Sequence, residues 1–311
     1  MTVTANGTGD FKTIQEAINS IPQNNDKEVL IEIKRGIYKE KLIIDKPFIT
    51  LKGEGKDITV ITYNDCAKKL LPDGTEYGTF KSYSVIIDEK AHNFKAFDIT
   101  FENSAGSGEN VGQAVAVRVD ADKSAFYNCG FLGRQDTLYT GPLPQTPESP
   151  DILVRQYYEN CYIKGDVDFI FGSATAVFNK CIIESGDRNK STNGYITAAS
   201  TYKNIKFGYV FLDCDLISTA APNTVFLGRP WREYSSTAFI NCTMGAHIKS
   251  EGWNDWRKPD KVGTVRYAEY NCKGAGADTS KRVNWCKQLT DEQAKEFTLE
   301  NILLDWKPEN K

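Results

Sequence analysis

Two stretches of the sequence carry the same arrangement in succession. The first is Asn128-Cys129 followed by Gly133-Arg134-Gln135-Asp136-Thr137-Leu138-Tyr139, and the second is Asn160-Cys161 followed by Gly165-Asp166-Val167-Asp168-Phe169-Ile170-Phe171-Gly172. In each, an aspartate lies seven residues after the cysteine, so Asp136 and Asp168 are 32 residues apart, like the cysteines. If the cysteines mark equivalent points on successive turns of a coil, the aspartates stack on one face. Two stacked carboxylates do not ionise independently, so we expect one acid and one anion, as acid/base or nucleophilic catalysis requires.

A cysteine preceded by Asn, Asp or Lys recurs along the chain at intervals of 32, 20, 33, 28 and 30 residues, from Cys129 to Cys272. Short β-type runs separated by Gly, Asn and Asp fill the intervals. A period of this length predicts a coil of stacked β-turns. Its irregularity indicates loops, of which the clearest is Gly141 to Pro150, with four of the eleven prolines. The pattern favours a parallel β-helix over a β-sandwich, in which hairpin turns such as Asn-Gly would join most strands.

Short helices are predicted near both ends of the chain. Thr13-Ile14-Gln15-Glu16 is a capping box that opens an apolar stripe ending at Pro22, and Thr290-Asp291-Glu292-Gln293 opens a second helix. The open ends of a β-helix need protection against edge pairing, and we expect these terminal helices to cap them. We assign residues 1–311 to one domain of this kind.

Composition narrows the classes of function. The formal net charge of −3 gives no reason to expect nucleic acid or an anionic membrane as partner. No apolar run approaches the ~20 residues needed to span a bilayer. The two histidines are not accompanied by a Gly-x-Ser-x-Gly motif, so a hydrolase of this sequence would work with carboxylates. The eight cysteines form no C-x-x-C pair; we expect most to be buried, with Cys161 and Cys181 as the best disulfide candidates.

Five motifs, two of them the aspartate stretches above, occur in order and give the chain its resemblance to a known family. They are Gly36-x-Tyr38-x-Glu40, Gln113-Ala114-Val115-Ala116-Val117-Arg118, Gly133 to Leu138, Asp168-Phe169-Ile170-Phe171-Gly172 and Leu227-Gly228-Arg229-Pro230-Trp231. The set resembles the pectin methylesterases, a carbohydrate esterase family with a right-handed parallel β-helix, from about Val3 to Trp306. Gly194-Tyr195-Ile196-Thr197-Ala198 looks more like the bacterial members.

The resemblance implies a role for each residue of a catalytic set. Asp168 would be the nucleophile on the methyl ester of a galacturonate unit, with Arg229 holding it as a carboxylate and lowering its pKa. Asp136 would be the general acid and then the general base. Gln113 and Gln135 would donate to the oxyanion, each such donor being worth ~2.7–4 kcal/mol. No cofactor is implied.

The resemblance also implies a wall for the sugar, since aromatic faces pack on the apolar faces of sugar rings. We expect Phe169, Trp231 and Trp253 to form it, with Ser84 and Phe80 as further substrate contacts. Asp166 departs from the family, many members of which have an uncharged residue there. It could raise the pKa of Asp168 or bind a cation, but we favour a turn at Gly165 that sends it to solvent.

Two other classes of protein stay open on the residues alone. One is a chain-cleaving β-helix enzyme, although a polygalacturonase would show a Gly-His-Gly segment and a lyase would need calcium-binding acid clusters. The other is a polysaccharide-binding β-helix without catalysis. The implied substrate is methyl-esterified homogalacturonan or its oligomers, bound by a monomer. Met1 is followed at once by Thr2-Val3-Thr4, so we expect either secretion after loss of a signal peptide or a cytoplasmic enzyme acting on imported oligosaccharides.

Overall fold

The computed structural model describes residues 1–143 and 151–308, which form three parallel sheets wound into a β-helix. Sheet I contains β1 (Thr2–Val3), β2 (Val29–Ile33), β5 (Ile49–Lys52), β8 (Lys95–Phe97), β11 (Ser124–Tyr127), β14 (Arg155–Glu159), β17 (Thr175–Asn179), β20 (Tyr209–Leu212), β23 (Ser236–Ile240), β25 (Arg266–Tyr270) and β26 (Cys286–Gln288). Sheet II contains β3 (Gly36–Lys39), β6 (Thr59–Tyr63), β9 (Thr100–Asn103), β12 (Gly130–Leu132), β15 (Tyr162–Gly165), β18 (Ile182–Ser185), β21 (Asp215–Ser218) and β24 (Thr243–Met244). Sheet III contains β4 (Leu42–Ile44), β7 (Val85–Ile87), β10 (Val117–Val119), β13 (Leu138–Thr140), β16 (Val167–Gly172), β19 (Gly194–Ala199) and β22 (Val225–Gly228).

The chain visits the three sheets in turn, and each coil pairs with the next in parallel register. In sheet I, the predicted intervals of 32, 20, 33, 28 and 30 residues are the register steps between successive strands, which pair Ser124 with Gln156, Gln156 with Ala176, Ala176 with Tyr209, Tyr209 with Thr237, and Ser236 with Arg266. The prediction of a parallel β-helix is therefore confirmed. The predicted loop Gly141 to Pro150 lies outside the described residues except for 141–143.

A single residue with positive φ turns the chain from sheet I into sheet II, and this turn explains the recurring cysteine signature. The turn residues are Asn128, Asn160, Lys180, Asp213, Asn241 and Asn271, with φ between 48° and 55°. Asn and Asp adopt this left-handed conformation more readily than other non-glycine residues. The cysteine that follows each turn points inward. The described cysteines are all free thiols, so the suggested Cys161–Cys181 disulfide is wrong.

Stacked aromatic rings fill the coil behind sheet I. Phe126, Tyr158, Phe178, Phe211 and Phe239 occupy one register position on five successive coils, with consecutive ring centroids 5.0, 4.7, 4.5 and 4.4 Å apart. Stacked rings of this kind contribute ~0.5–1.5 kcal/mol per pair beyond the area that they bury. The inner positions are thus occupied by packing residues, and the chemistry lies on the outer face of the coil.

The helices at the two ends of the chain pack differently. Helix α1 (Ile14–Asn19) has the predicted capping box between Thr13 and Glu16 and buries three apolar residues in the main core. A short helix α2 (Gly108–Val111) follows β9. The C-terminal capping box opens α3 (Asp291–Ala294), and α4 (Leu299–Leu303) follows. Ile302 and Leu303 pack on the outer face of sheet I, so α4 covers that face rather than the end of the coil. No helix of the described residues is long and apolar enough to cross a membrane.

Candidate active site

Asp136 and Asp168 lie on adjacent coils at the outer face of sheet III. Asp136 donates its backbone N–H to the carbonyl oxygen of Val167 at 3.0 Å, and Leu138 pairs with Ile170, two residues beyond each aspartate. Adjacent parallel strands are about 4.8 Å apart, which brings the two carboxyl groups into electrostatic contact. Both side chains are nearly buried, at 8% and 6% exposure.

Both aspartates adopt the left-handed backbone conformation, with φ of 64° at Asp136 and 49° at Asp168. At Asp168 the pairing of β16 with β19 shifts register between Val167 and Ile170. This local turn interrupts the alternation of a regular strand, so Phe169 and Ile170 both point into the core. Sparsely populated backbone conformations of this kind cluster at functional sites.

Arg229 binds Asp168 through two parallel hydrogen bonds. Its Nε donates to Oδ1 at 2.9 Å and its Nη2 donates to Oδ2 at 2.6 Å. The guanidinium group is packed between two rings, 3.8 Å from the centroid of Tyr195 and 3.7 Å from that of Trp256. The two-point geometry and the stacking fix the orientation of the Asp168 carboxylate.

The pKa values of the two aspartates are both raised, but not equally. Burial raises the pKa of Asp168, while the hydrogen bonds and charge of Arg229 oppose that effect. Arg229 thus lowers the pKa of Asp168 as expected, but burial has the larger effect, so the net shift is upward. Burial and then the charge of Asp168 raise the pKa of Asp136 well above its usual value, with a smaller opposing effect of Arg229. Of the two groups, Asp136 thus holds its proton more strongly and Asp168 ionises more readily.

Gln113 and Gln135 lie on the same face, one coil apart. The backbone N–H of Ala114 donates to the carbonyl oxygen of Gln135 at 3.1 Å, which stacks the two segments, and Gln135 directly precedes Asp136. Helix α2 presses on Gln135, since a Cβ added at Gly108 would lie 2.8 Å from the Cβ of Gln135. Both glutamine side chains are partly exposed, as groups that contact a substrate must be.

Two of the three expected aromatic wall residues are in the core. Phe169 is 0% exposed because the turn at Asp168 directs it inward. Trp253 is 1% exposed; it stacks on Tyr267 at 4.2 Å and donates its indole N–H to Glu269. Trp231 is partly exposed and packs on Phe171 at the outer face of sheet III. Of the three, only Trp231 can contact a bound sugar.

Of the two further substrate contacts that were expected, Ser84 is buried and Phe80 is exposed. Ser84 is fully buried and its hydroxyl has no hydrogen-bond partner among the described residues, so a substrate contact there is wrong. Phe80 lies in a 3₁₀ turn, is 38% exposed and meets the ring of Tyr139 edge-on at 5.3 Å. Phe80 therefore borders the same outer face as the aspartates.

Asp166 does not reach solvent, contrary to the favoured expectation. Its side chain is buried because the backbone around it is bound on both sides: its N–H donates to Arg134 and its carbonyl oxygen accepts from Tyr195. Arg134 Nη1 lies 3.9 Å from Asp166 Oδ2. Burial raises the pKa of Asp166, and its charge raises the pKa of Asp136. The influence of Asp166 thus falls on Asp136, and not on Asp168 as first considered.

The sequence reasoning missed Tyr195 and Trp256 as parts of the site. Trp256 belongs to the same Trp253-Asn254-Asp255-Trp256 run as the buried Trp253, so the run marked the region but not which ring faces outward. Tyr195 pairs with Val167 across β16 and β19, next to Asp168. Its position in the strand after Asp168 was the available signal.

Comparison with known proteins gives one consistent family. A family model described as Pectinesterase matches residues 1–305. Pectinesterase 31 of Arabidopsis thaliana is 38% identical over 304 residues, which cover 95% of this chain and 89% of the plant protein. Pectin methylesterase PemA from Erwinia chrysanthemi has a TM-score of 0.86 at 32% identity, covering 99% of this chain and 97% of PemA. A pectin methylesterase in complex with a hexasaccharide has a TM-score of 0.85 at 32% identity, with the same coverage.

Proposed function

The chain belongs to the pectinesterase family and removes methyl esters from pectin, and we propose that Asp168 and Asp136 carry out this reaction as nucleophile and general acid. The observation that carries the proposal is the two-point hydrogen bonding of Arg229 to Asp168 beside a buried Asp136. A carboxylate is a weak nucleophile, so it must be ionised and held in one orientation. Arg229 fixes the orientation by its two hydrogen bonds, and it favours the ionised form against the opposing effect of burial.

In the first half of the reaction, a carboxylate oxygen of Asp168 attacks the ester carbonyl carbon of a galacturonate unit. The amide groups of Gln113 and Gln135 donate hydrogen bonds to the oxyanion that forms. When the bond to the methoxy group breaks, Asp136 gives its proton to that oxygen and methanol leaves. The product of this half is an anhydride between Asp168 and the galacturonate carboxyl group.

In the second half, Asp136 is a carboxylate and can act as a base. It takes a proton from water while the water oxygen attacks the galacturonate carbonyl carbon of the anhydride. The anhydride bond breaks, the galacturonate carboxyl group is released and Asp168 returns as a carboxylate. Asp136 has regained its proton, so the site is ready for another ester. The raised pKa of Asp136 suits this exchange, because it helps the carboxyl group to hold the proton that the methoxy group needs.

Trp231 and Phe80 complete the proposal as contacts for the sugar chain. Both are at least partly exposed on the outer face of sheet III, on either side of the aspartates along the stack of coils. We propose that they bind polymeric pectin and short methylated oligogalacturonides alike, with residues 1–311 acting as one monomeric domain. The hexasaccharide bound by one similar pectin methylesterase supports oligomers as ligands.

The test is methanol release from highly methylated pectin, with new reducing ends counted in the same sample. We expect methanol without new reducing ends from the natural chain. Asp168→Ala and Asp136→Ala should each abolish methanol release while the circular dichroism spectrum stays that of the folded protein. Near-normal activity of Asp168→Ala would contradict the assignment of the nucleophile.

A further inference from the structure

Lys41 lies directly before β4, and its ammonium group is enclosed by side chains and backbone of a single loop. Its Nζ donates to Asp65 Oδ2 at 2.6 Å, to the hydroxyl oxygen of Tyr77 at 2.9 Å and to the carbonyl oxygen of Lys81 at 2.6 Å. An ammonium group has three N–H donors, so all of them are used. The rings of Tyr77 and Tyr83 also face it, each with its centroid 4.6 Å from Nζ. Lys41 is therefore a cation fixed in one position.

The groups that Lys41 binds belong to residues 64–84, the loop between β6 and β7. Asp65 is at the start of this loop, and Lys81 lies in the 3₁₀ turn near its end. Asp65 is buried, and its second carboxylate oxygen pairs with Lys69. Burial raises the pKa of Asp65, but the hydrogen bonds and charges of the two lysines outweigh burial and leave that pKa below its ordinary value. Lys41 thus joins the two ends of the loop through an ionised carboxylate and a carbonyl group.

The same loop carries Phe80 at the outer face of sheet III. Lys41 binds the carbonyl oxygen of Lys81, the residue directly after Phe80. Arg118 Nη1 donates to the carbonyl oxygen of Phe80 itself at 3.1 Å. The ring of Phe80 is 38% exposed and meets that of Tyr139 edge-on. Two cations therefore hold successive carbonyl groups of the turn that presents this ring.

We propose that Lys41 is a positioning residue for substrate binding, which holds the loop so that the ring of Phe80 is in place before the sugar chain binds. The inference rests on the proposed function, in which Phe80 contacts that chain. A group that is already ordered loses little conformational freedom on binding, and such preorganisation strengthens the complex. Because Lys41 acts through the loop and not on the reacting aspartates, its loss should weaken binding and leave kcat nearly unchanged.

A double-mutant cycle tests whether Lys41 acts through Phe80. Every protein in the cycle carries Asp168→Ala, so that no ester is consumed, and calorimetry gives the dissociation constant of fully methylated hexagalacturonate. We expect Phe80→Ala and Lys41→Met each to weaken binding about fivefold, the size of one aromatic contact. The double variant should also bind about fivefold more weakly, because a ring that is absent cannot be misplaced. Effects that multiply to about 25-fold would overturn the proposal, since independent sites add in free energy.

Two further variants complete the cycle. Lys39→Met is the matched control, because Lys39 is exposed and lies in sheet II, and its dissociation constant should be that of the parent protein. Tyr77→Phe keeps the ring over the ammonium group but removes one hydrogen bond, so it should weaken binding less than Lys41→Met and serves if that variant does not fold. Unchanged dissociation constants in both Lys41→Met and Tyr77→Phe, or in Phe80→Ala, would overturn the proposal.

Two measurements separate this positioning role from the proposed function. Amide hydrogen exchange in residues 64–84 should be faster in Lys41→Met than in Lys39→Met, and equal exchange would overturn the proposal. In chains that keep Asp168, Lys41→Met should raise KM with little change in kcat, and a fall in kcat at constant KM would contradict a role in binding. If the natural chain released no methanol, the proposed function would fail, while the binding cycle would still decide whether Lys41 positions Phe80.

Discussion

The ion pair between Arg229 and Asp168 determines the charge and the orientation of the carboxylate at the centre of the site. Asp168 is 6% exposed, so its carboxylate depends on the arginine for compensation of its charge. Tyr195 and Trp256 hold the guanidinium from both faces. A cation that is fixed in this way does not reorganise during the reaction, which is the property expected of a preorganised site.

Replacement of Arg229 should therefore impair both the placement and the ionisation of Asp168. We expect Arg229→Gln to lower kcat/KM on the order of 10²-fold or more, because small misplacements of a reacting group have effects of that size. Since Arg229 lowers the pKa of Asp168, its loss raises that pKa, and the acid limb of the pH–rate profile should move to higher pH.

Arg229→Lys serves as the matched variant, because it keeps the charge but not the two-point geometry. We expect a smaller movement of the acid limb than in Arg229→Gln, with kcat still reduced. The measurement is kcat for methanol release across the pH range. If the acid limb lay at the same pH in the natural chain and in both variants, Arg229 would not change the pKa of Asp168.

Asp166 should influence the alkaline limb of the pH–rate profile for methanol release. The general acid works only while Asp136 is protonated, so the rate falls as pH rises through the pKa of Asp136. The charge of Asp166 raises that pKa, so Asp166→Asn should lower it and move the alkaline limb to lower pH. The other charged groups around Asp166 are Arg134, Arg188 and Glu109.

The matched control is Arg134→Gln, which removes a cation from the same cluster. It should leave the alkaline limb nearly in place, since Arg134 is half exposed and 3.9 Å from Asp166, and the charges that act on the pKa of Asp136 are those of Asp168, Arg229 and Asp166. An alkaline limb unchanged by Asp166→Asn would mean that Asp166 is neutral at the working pH and does not act on Asp136.

At the scale of elements, the short turns between strands carry the site. Asp136 precedes β13, Asp168 lies in β16 and Arg229 follows β22, so three coils of sheet III contribute one residue each. The left-handed turns at the two aspartates lift their carboxyl groups to the outer face while the following residues return to the core. Helix α2 then borders the site through its contact with Gln135.

The contact between α2 and Gln135 gives a prediction for Gly108. A Cβ at this position would lie 2.5 Å from Gln135 Oε1 and 2.8 Å from Gln135 Cβ, so Gly108→Ala must displace the glutamine side chain. We expect kcat to fall about tenfold, part of what the loss of an oxyanion donor costs, with a smaller change in KM. Alanine itself suits a helix, so the thermal midpoint of unfolding should not fall by more than a few degrees.

Asn110→Ala in the same helix is the control, because Asn110 is exposed and its side chain makes no hydrogen bond with the described residues. Its kcat should be that of the natural chain. If Gly108→Ala also kept full activity, then Gln135 either tolerates the displacement or is not an oxyanion donor.

At the scale of the whole molecule, the C-terminal end of the coil is closed by a buried ion pair. Arg282 and Glu269 are 3% and 1% exposed, and the arginine also donates to the carbonyl oxygens of Lys249, Ser250 and Gly276. Trp253 donates to the same glutamate. This cluster links the last coils at the C-terminal end of the β-helix, which α4 does not cover.

Removal of one partner of this pair should destabilise the protein strongly. We expect Arg282→Ala to lower the free energy of unfolding by about 3–5 kcal/mol, because it leaves Glu269 buried without compensation. Lys295→Ala removes an exposed partner of Glu292 and should cost about 0–1 kcal/mol. Unfolding of both variants by denaturant measures the two free energies of unfolding. Equal losses of free energy would mean that the buried pair stabilises the protein no more than the exposed pair does.

Much of the site and fold follows from local sequence. The spacing of the cysteines predicted the register of sheet I. Each coil has one residue in the left-handed conformation and one small buried residue at its turn from sheet I into sheet II. Equal spacing from those points placed Asp136 and Asp168 on adjacent coils. The capping boxes predicted where α1 and α3 begin, since their hydrogen bonds are formed within four residues.

Local sequence encodes the coil, its period and the identity of the residues that meet at the outer face. The tertiary structure decided which neighbouring side chains point outward. Phe169 and Trp253 were expected to face the sugar but lie in the core, because the turn at Asp168 resets the strand alternation and Trp253 stacks on Tyr267. Asp166 is buried by contacts with the coils on either side. Such contacts join residues far apart in the chain, and no local pattern records them.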